Sequence, residues 1–392
     1  MNLIRTLGFA ISALSSYVAF GFKIGQFRRS RADLAYRSLI LVLALQCLTF
    51  TMGVVALSTD RLFGVGNLAI LLMHLFAVAY CVSAEVLMLL WTSSLADARR
   101  RVARWAAYGV AVEVILVALF VVARIDQAAA TELNTGSGRP LIVAYLLTFM
   151  LSQALPCFTI VRQCVPFSRL AEAGWLRRAL RVLAAAALLL LGYCLARVAN
   201  ILLSTGGVDV GAWAVAPAVL SAFGIVTLNV GLTMQSWGPR IDDLRRWLRD
   251  YAAYRALYPL WHALYLASPG ISLEPPGRSL SDLPYRLHRR VIEIRDGWRA
   301  LRPYMDEPDG LSGPRSPEAD ALDGRLPDIE AARLRRALLA KQSGRAPELE
   351  VVAAGPPGQQ AGTLDAEVRW LRQVSRTFVR LGAGRPDGEK GT

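Results

Sequence analysis

The chain has 392 residues and a formal net charge of +14, and 54% of its residues are hydrophobic, against roughly 45–50% in a soluble domain. The apolar excess lies before about residue 235, in runs of about 20 residues, the length that a helix needs to cross a bilayer. Residues 240–392 hold 25 basic and 21 acidic residues, and this near balance argues against a nucleic-acid partner.

Seven apolar runs predict membrane-spanning helices, because a segment in lipid must satisfy its own backbone hydrogen bonds. They lie at about residues 6–25, 38–57, 68–91, 105–123, 141–161, 182–203 and 213–234. We expect the first run to remain as a span and not to be cleaved as a signal peptide, since its basic cluster KIGQFRRSR follows the apolar stretch instead of preceding it. The sequence therefore predicts an all-α fold in which residues 1–236 form a seven-helix bundle in the lipid bilayer.

Basic residues are concentrated in alternate loops of this domain. The connections after the first, third and fifth spans hold 14 Lys and Arg residues, whereas the opposite side of the membrane holds 4. Loops rich in Lys and Arg stay in the cytoplasm. We therefore expect a plasma-membrane protein with its N-terminus outside and its C-terminus in the cytoplasm.

The third span carries two ionisable side chains, His74 and Glu85. They are 11 residues apart, which places them within about 20° of each other on the helix face, and Cys81 lies on the same stripe. A charge that faces lipid is costly. We therefore expect this stripe to face the interior of the bundle.

The fourth and sixth spans add Glu113 and Arg197. Glu85 and Glu113 lie at similar depths, and consecutive spans are usually neighbours, so we expect the two carboxyl groups to be close together. Arg197 is level with His74, where its side chain can extend toward Glu113 or outward. These four residues are candidates for a ligand or proton site, and the alternative is a structural role in hydrogen bonding between helices.

The chain lacks the short motifs of catalysis and cofactor binding. Its five cysteines include no C-x-x-C pair, and there is no H-E-x-x-H, P-loop, G-x-S-x-G or dinucleotide-binding fingerprint. The sequence therefore predicts no catalytic residue, no metal site and no cofactor, and it favours a role other than that of an enzyme.

The tail begins with a predicted cytoplasmic helical domain over residues 237–302. Apolar and aromatic residues recur at helical spacing along its first part: Ile241, Leu244, Leu248, Tyr251, Tyr258, Trp261 and Tyr265. Pro259 predicts a break between two helices. A second apolar stripe runs from Leu283 to Leu301, and we expect the two stripes to form a core. The Arg289 and Glu293 pair is typical of a solvated helix face.

The rest of the tail alternates linkers and helices. Residues 303–327 are rich in proline, glycine and aspartate and are typical of a linker. Residues 328–382 predict further helices at about 329–342 and 363–381, joined by a second linker near 344–362. Residues 383–392 are predicted to be disordered.

Two motifs in the tail, YRALYPLWHALYLASPGI and YRLHRRVIEIRDGWRALRPY, resemble an uncharacterised actinobacterial family of multi-pass membrane proteins that is often labelled as transporters. The resemblance implies a seven-helix membrane domain followed by a cytoplasmic all-helical domain, in an actinobacterial plasma membrane. It carries over no catalytic or ligand-binding residue.

Two functions compete at this point. The first is a membrane sensor or signalling adaptor whose tail binds a cytoplasmic protein partner or self-associates. The second is a transporter, or a transport-associated subunit, for a small solute, in which the buried carboxylates couple to protons. An intramembrane enzyme is a third reading, but no nucleophile–base pair or metal set supports it.

Overall fold

The structure is a computed structural model, and it describes residues 2–27, 33–92, 95–129, 132–133, 139–172, 174–208, 211, 215–271, 282–305, 326–344 and 363–383. Almost all of these residues lie in helices. The fold is all-α, as predicted. Over these residues it has ten α-helices: α1 Asn2–Phe27, α2 Leu34–Ser58, α3 Leu68–Thr92, α4 Leu95–Val122, α5 Pro140–Leu170, α6 Gly174–Thr205, α7 Ala216–Ala267, α8 Leu283–Leu301, α9 Leu326–Gln342 and α10 Leu364–Ala383.

The chain divides into two compact units, residues 1–239 and residues 240–392. The first unit holds α1 to α6 and the N-terminal part of α7. Seven helical segments are long and apolar enough to cross a membrane: Thr6–Gly25, Leu34–Ser58, Leu68–Thr92, Arg99–Val122, Pro140–Leu170, Gly174–Thr205 and Ala216–Ala267. The protein is therefore a membrane protein whose environment is the lipid bilayer.

Helices α5 and α6 extend beyond their predicted spans of 141–161 and 182–203. They contain 31 and 32 residues, which corresponds to about 46–48 Å at the rise of an α-helix, more than the roughly 30 Å of a hydrocarbon core. The additional turns carry arginines that lie outside the apolar runs. Hydropathy marks where lipid ends, but a charged segment with good helix formers continues the same helix.

Pro156 lies inside α5 and does not end it. A proline removes the hydrogen bond to the carbonyl four residues earlier, which here belongs to Ser152. The hydroxyl of Tyr108, on α4, donates to this carbonyl at 3.4 Å. A neighbouring helix thus satisfies the backbone group that the proline leaves free, as membrane helices require.

A short β-hairpin, β1 Arg61–Leu62 and β2 Val65–Gly66, connects α2 to α3. Its end packs closely on the segment after α4, because a Cβ at Gly66 would lie 2.0 Å from the carbonyl oxygen of Asp126. The side-chain amide of Asn67 donates to the carbonyls of Ile125 and Ala128 at 2.8 and 2.9 Å. These contacts tie two connections together on one side of the helical bundle.

The second unit has its own apolar core. It is built from the C-terminal part of α7 and from α8, α9 and α10, and its buried side chains include Leu257, Leu260, Trp261, Leu264, Leu287, Val291, Ile294, Trp298, Leu334, Leu338, Leu371 and Val374. Of the first predicted stripe, Trp261 belongs to this core and Tyr265 packs against it, whereas Tyr258 is exposed. The second predicted stripe contributes from Leu287 to Leu301. The earlier residues Leu244 and Leu248 are exposed and do not belong to this core.

The predicted helix break at Pro259 is wrong, because α7 continues through it from Ala216 to Ala267. Pro259 lies on the exposed side of the helix, and the carbonyl that it leaves free belongs to the exposed residue Arg255. Water can satisfy that carbonyl. The buried residues Leu257 and Leu260 meanwhile keep the apolar stripe continuous on the opposite side.

Charged groups inside the second unit are compensated by partners. The buried Glu293 carboxylate accepts a hydrogen bond from Nε1 of Trp261 at 2.6 Å and forms an ion pair with Nε of Arg289 at 2.8 Å. The sequence alone suggested that the Arg289–Glu293 pair lies on a solvated face. The structure corrects this expectation, because the pair is largely buried. Helical spacing places the pair on one face, but only the approach of α7 shows that this face is covered.

Arg290 is buried next to this pair and is held by aromatic rings. Its guanidinium carbon lies 3.5 Å from the ring centre of Tyr254 and 4.9 Å from that of Trp261, and its Nη1 donates to the carbonyl of Tyr254 at 2.7 Å. Cation–π contact and a backbone acceptor offset part of the cost of burying the charge. Burial nevertheless lowers the pKa of Arg290 from its ordinary value.

The predicted linkers and the predicted disordered tail lie mostly outside the described residues. Of the linker over 303–327, the structure describes a 3₁₀ turn that ends at Tyr304 and the start of α9 at Leu326. The linker near 344–362 and the segment 383–392 are described only at Gly344 and Ala383.

Candidate functional site

The polar stripe of α3 is buried. His74 and Cys81 are almost inaccessible, and Glu85 is 1% exposed. The rest of α3 consists largely of Leu, Ala, Val and Met, so these side chains are polar groups in an apolar helix. The expectation that the stripe points into the bundle therefore agrees with the burial of these side chains.

Glu85 is hydrogen-bonded to α5. The hydroxyl of Thr159 donates to its Oε2 at 2.9 Å, and Nε2 of Gln163 donates to its Oε1 in a short contact. Both donors are neutral. Among the described residues, no Lys, Arg or His side chain forms an ion pair with Glu85, so nothing in its immediate contacts neutralises a negative charge.

Two further contacts between α3 and α5 lie at other levels of the bundle. The thiol of Cys81 donates to Oε1 of Gln153 at 2.7 Å. Nδ1 of His74 is 2.7 Å from the hydroxyl of Tyr145, and the His74 ring stacks on Phe149 with centres 3.8 Å apart. We call this set of contacts, from His74–Tyr145 through Cys81–Gln153 to Glu85–Thr159–Gln163, the polar ladder.

The order of the contacts shows that α3 and α5 run in the same direction. As the residue number on α3 increases from 74 to 85, the partner on α5 increases from 145 to 163. The predicted topology gives the third and fifth spans the same direction across the membrane, and the ladder agrees with that pattern. A polar path thus extends over about 16 Å along α3, from residue 74 to residue 85, and over about 27 Å along α5, from residue 145 to residue 163, at 1.5 Å per residue.

Several buried amide atoms of the first unit have no hydrogen-bond partner among the described residues. These atoms are Oε1 and Nε2 of Gln46, Nε2 of Gln153 and Oε1 of Gln163. Gln46 is fully buried on α2. A buried polar atom without a partner costs about 1–3 kcal/mol. Buried polar groups of this kind are commonly satisfied by internal water in proteins.

Glu113 and Arg197 lie outside the ladder. Glu113 is partly buried on α4. The hydrogen bonds to the Glu85 carboxyl group come from α5, and among the described residues there is none between Glu85 and Glu113. Arg197 is partly buried on α6, and its Nη2 donates to the carbonyl of Leu133 at 3.4 Å. That Glu113 and Arg197 take part in one site with His74 and Glu85 stays a prediction.

Sequence reasoning did not single out Tyr145, Thr159 and Gln163. Thr159 and Gln163 are four residues apart, and Tyr145, Phe149 and Gln153 follow each other at the same interval. Apart from Phe149, these are polar groups at helical spacing within α5, and this spacing is a signal in the sequence. It identifies a polar face, although it does not say which helix the face contacts.

No metal-binding group of three or more His, Cys, Asp or Glu side chains occurs within the described residues. The five cysteines are free and buried.

Comparison with known proteins gives one match. Residues 246–380 are similar to a family described as a family of unknown function (DUF6545). This stretch includes both tail motifs and lies within the second unit. No curated protein and no solved structure matches the chain.

Proposed function

We propose that the protein is a membrane sensor or signalling adaptor. The polar ladder around Glu85 is its responsive element, and the second unit passes the response to a cytoplasmic protein partner. In this proposal the protein lies in the plasma membrane of an actinobacterium with its N-terminus outside. The resemblance of the tail motifs and the distribution of basic residues support that placement.

The observation that carries the proposal is the continuity of α7. Its N-terminal part packs in the first unit, where the side-chain amide of Asn229 donates to Oγ of Ser15 at 3.0 Å. Its C-terminal part supplies Leu257, Leu260 and Leu264 to the core of the second unit. Residues 237–240 are helical within α7. In this proposal a movement of α7 in the first unit reaches the second unit along this helix.

The chemistry of Glu85 suits a switch. A carboxylate that receives only neutral donors in a bilayer is unfavourable by about 2.5–3.5 kcal/mol on insertion scales when it is ionised. Gain of a proton or approach of a cation changes that cost. It also changes the hydrogen bonds to Thr159 and Gln163, and therefore the fit of α3 against α5.

Hydrogen exchange of the full chain in lipid nanodiscs tests this function. Between pH 5.5 and 7.5, after correction for intrinsic exchange, we expect the protection of α8 to change in the wild type and to stay constant in Glu85→Gln. The matched control is Glu172→Gln, which removes an exposed carboxylate. Identical exchange of wild type and Glu85→Gln at every pH would refute the sensor.

A second variant tests the route through α7. Insertion of two glycines between Pro239 and Arg240 interrupts the helix. We expect α3 and α5 to keep their pH response and α8 to lose its response. A response of α8 that survives the insertion would contradict transmission through this helix.

Transport of a small solute, coupled to protons, is the second candidate function. It is favoured by the length of the polar ladder and by the unpartnered amides of Gln46 and Gln153. Proton flux into proteoliposomes, measured with an internal pH-sensitive dye, separates the two functions. Flux that Glu85→Gln abolishes supports the transporter, and absence of flux together with a response of α8 supports the sensor.

The orientation has its own test. Asp60, in the connection between α2 and α3, and Ser343, after α9, are exposed. A membrane-impermeant thiol reagent on intact cells is expected to label Asp60→Cys and not Ser343→Cys. The opposite result would reverse the proposed topology.

A further inference from the structure

The part of α7 in the second unit carries an apolar stripe that its own core does not use. The residues Ile241, Leu244, Leu248, Tyr251, Arg255 and Tyr258 follow one another at alternating intervals of three and four. We call them the α7 seam. Leu244 is 55% exposed and Leu248 is 51% exposed, and Tyr258 is also exposed.

The seam before Tyr258 faces away from the core of the second unit, whereas the ring centre of Tyr258 lies 5.4 Å from the guanidinium carbon of Arg290 on α8. Leu257 is nine residues after Leu248, and nine residues at 100° each place the two side chains about 180° apart on the helix. Leu257 is fully buried. Ala253 has the same relation to Leu244 and is also buried. The seam is therefore a second apolar face on a helix whose first face is already packed.

The spacing indicates what kind of surface covers the seam. Alternation of three and four residues produces a stripe that remains aligned with one partner helix. Trp247 lies beside the seam, where it is 39% exposed and stacks on Tyr251 with ring centres 5.3 Å apart. Charged residues border the stripe, and they pair within α7: Arg246 with Asp243 at 2.6 Å and Arg245 with Asp242 at 4.0 Å. The regular spacing of the seam fits a second helix packed along α7.

We propose that the α7 seam binds the α7 seam of a second copy of this chain, as a parallel two-stranded coiled coil. Two copies in one membrane have the same topology, so their α7 helices run in the same direction. A seam of about two and a half heptads would be marginal for free peptides. Confinement to one membrane raises the effective concentration and removes that obstacle.

Arg255 sets the register of this pairing. It occupies a core position of the heptad, equivalent to Ile241 and Leu248, and it is exposed. In the aligned dimer the two arginines lie at the same level and extend to solvent. A shift by one heptad would bury Arg255 against Leu248 of the other copy, which disfavours the shifted pairing.

Disulfide cross-linking of the full chain in liposomes tests the proposal. Under mild oxidation we expect Leu248→Cys to form dimers at least tenfold faster than the matched control Arg246→Cys, which is exposed on the same helix but outside the seam. Equal rates at the two positions would overturn the seam. Faster cross-linking of Leu244→Cys with Arg255→Cys than of Leu248→Cys with itself would overturn the parallel arrangement.

A charge variant gives a second readout. Leu244→Glu with Leu248→Glu places four carboxylates in the dimer seam, and single-molecule photobleaching in liposomes should shift from two steps to one. The matched control, Arg246→Glu with Arg249→Glu, should keep two steps. Exchange of α8 should not change in either variant, because all four positions are exposed.

One-step bleaching of the wild type would overturn the proposal. Cross-linking of the seam in cells to another protein, and not to a second copy of this chain, would also overturn it. The outcome is independent of the pH response of Glu85→Gln.

Discussion

The two units each bury a glutamate, and they treat it differently. In the second unit Glu293 pairs with Arg289 and accepts a hydrogen bond from Trp261. In the first unit Glu85 is still more deeply buried, yet its partners are the hydroxyl of Thr159 and the amide of Gln163. Glu293 has an adjacent cation, whereas Glu85 has none among the residues that the structure describes.

The proposed role of Glu85 as a switch rests on this difference. A buried ion pair with its hydrogen bonds satisfied holds two elements in one arrangement, and neither member gains by changing its protonation. A carboxyl group among neutral donors has no fixed preference of that kind. Its charge depends on what else enters the bundle, which is the property that a proton- or ligand-responsive site needs.

The largest expected effect tests the structural side of this comparison. Glu293→Ala leaves Arg289 without its carboxylate and Trp261 without its acceptor, so we expect the second unit to lose about 3 kcal/mol of stability. Faster hydrogen exchange of α8 in the full chain measures this loss. Asp296→Ala, which removes an exposed ion pair with Arg299, should change stability by less than about 0.5 kcal/mol. Similar effects of the two substitutions would contradict a buried, structural Glu293.

Thr159→Val tests the functional side. It removes one of the two donors to Glu85 and keeps the volume of the side chain. Polar contacts between membrane helices are worth about 0.6 kcal/mol on average and up to about 1.7, so we expect a modest loss of thermal stability in detergent. The pH response of α8 should shift while remaining present. Thr159→Ser keeps the donor and serves as the control, and a Thr159→Val protein with an unchanged pH response would separate Thr159 from the site.

Tyr145→Phe tests the other end of the ladder, where His74 has a hydroxyl partner and a ring stacked on it. The substitution leaves Nδ1 of His74 without this partner and keeps the packing. We expect a loss of about 0.6 kcal/mol and an unchanged pH response, because Glu85 keeps its contacts. Loss of the pH response in Tyr145→Phe would instead make His74 part of the responsive element.

The smallest effect concerns a third glutamate. Burial raises the pKa of Glu330 above its ordinary value, although Nη1 of Arg333 lies 2.9 Å from its Oε1. A raised pKa in the folded state means that this carboxyl contributes stability below its unfolded pKa of about 4.3, and that the contribution is lost as pH rises through the folded pKa.

Glu330→Gln should therefore make the second unit more stable at neutral pH and should remove this part of its pH dependence. Urea unfolding of the full chain, followed by exchange of α9 at several pH values, measures the difference. Asp296→Asn, an exposed carboxyl, should leave the pH dependence unchanged. A second unit that becomes less stable at neutral pH in Glu330→Gln would show that the ion pair with Arg333 outweighs the cost of burial.

Local patterns determined much of this molecule. Runs of apolar residues of bilayer length identified seven membrane helices, and the 11-residue separation of His74 and Glu85 placed both on one face of α3. These properties depend only on the rise and turn of a helix and on the transfer of side chains to lipid, so they can be read along the chain. The burial of Glu85 followed from the cost of exposing a charged side chain to lipid.

The partners depended on the tertiary structure. Consecutive spans are often neighbours, which suggested Glu113 on α4 as the companion of Glu85, but the hydrogen bonds to Glu85 come from α5. Pro259 carries the local signal of a helix end, and α7 nevertheless continues because packing of Leu257 and Leu260 holds both sides of it in one core. Similarly, Leu244 and Leu257 have the same apolar character in the sequence, and only the position of α8 makes one of them core and the other surface. Helical periodicity describes the faces of each helix, whereas the choice of which faces meet is a property of the packed bundle.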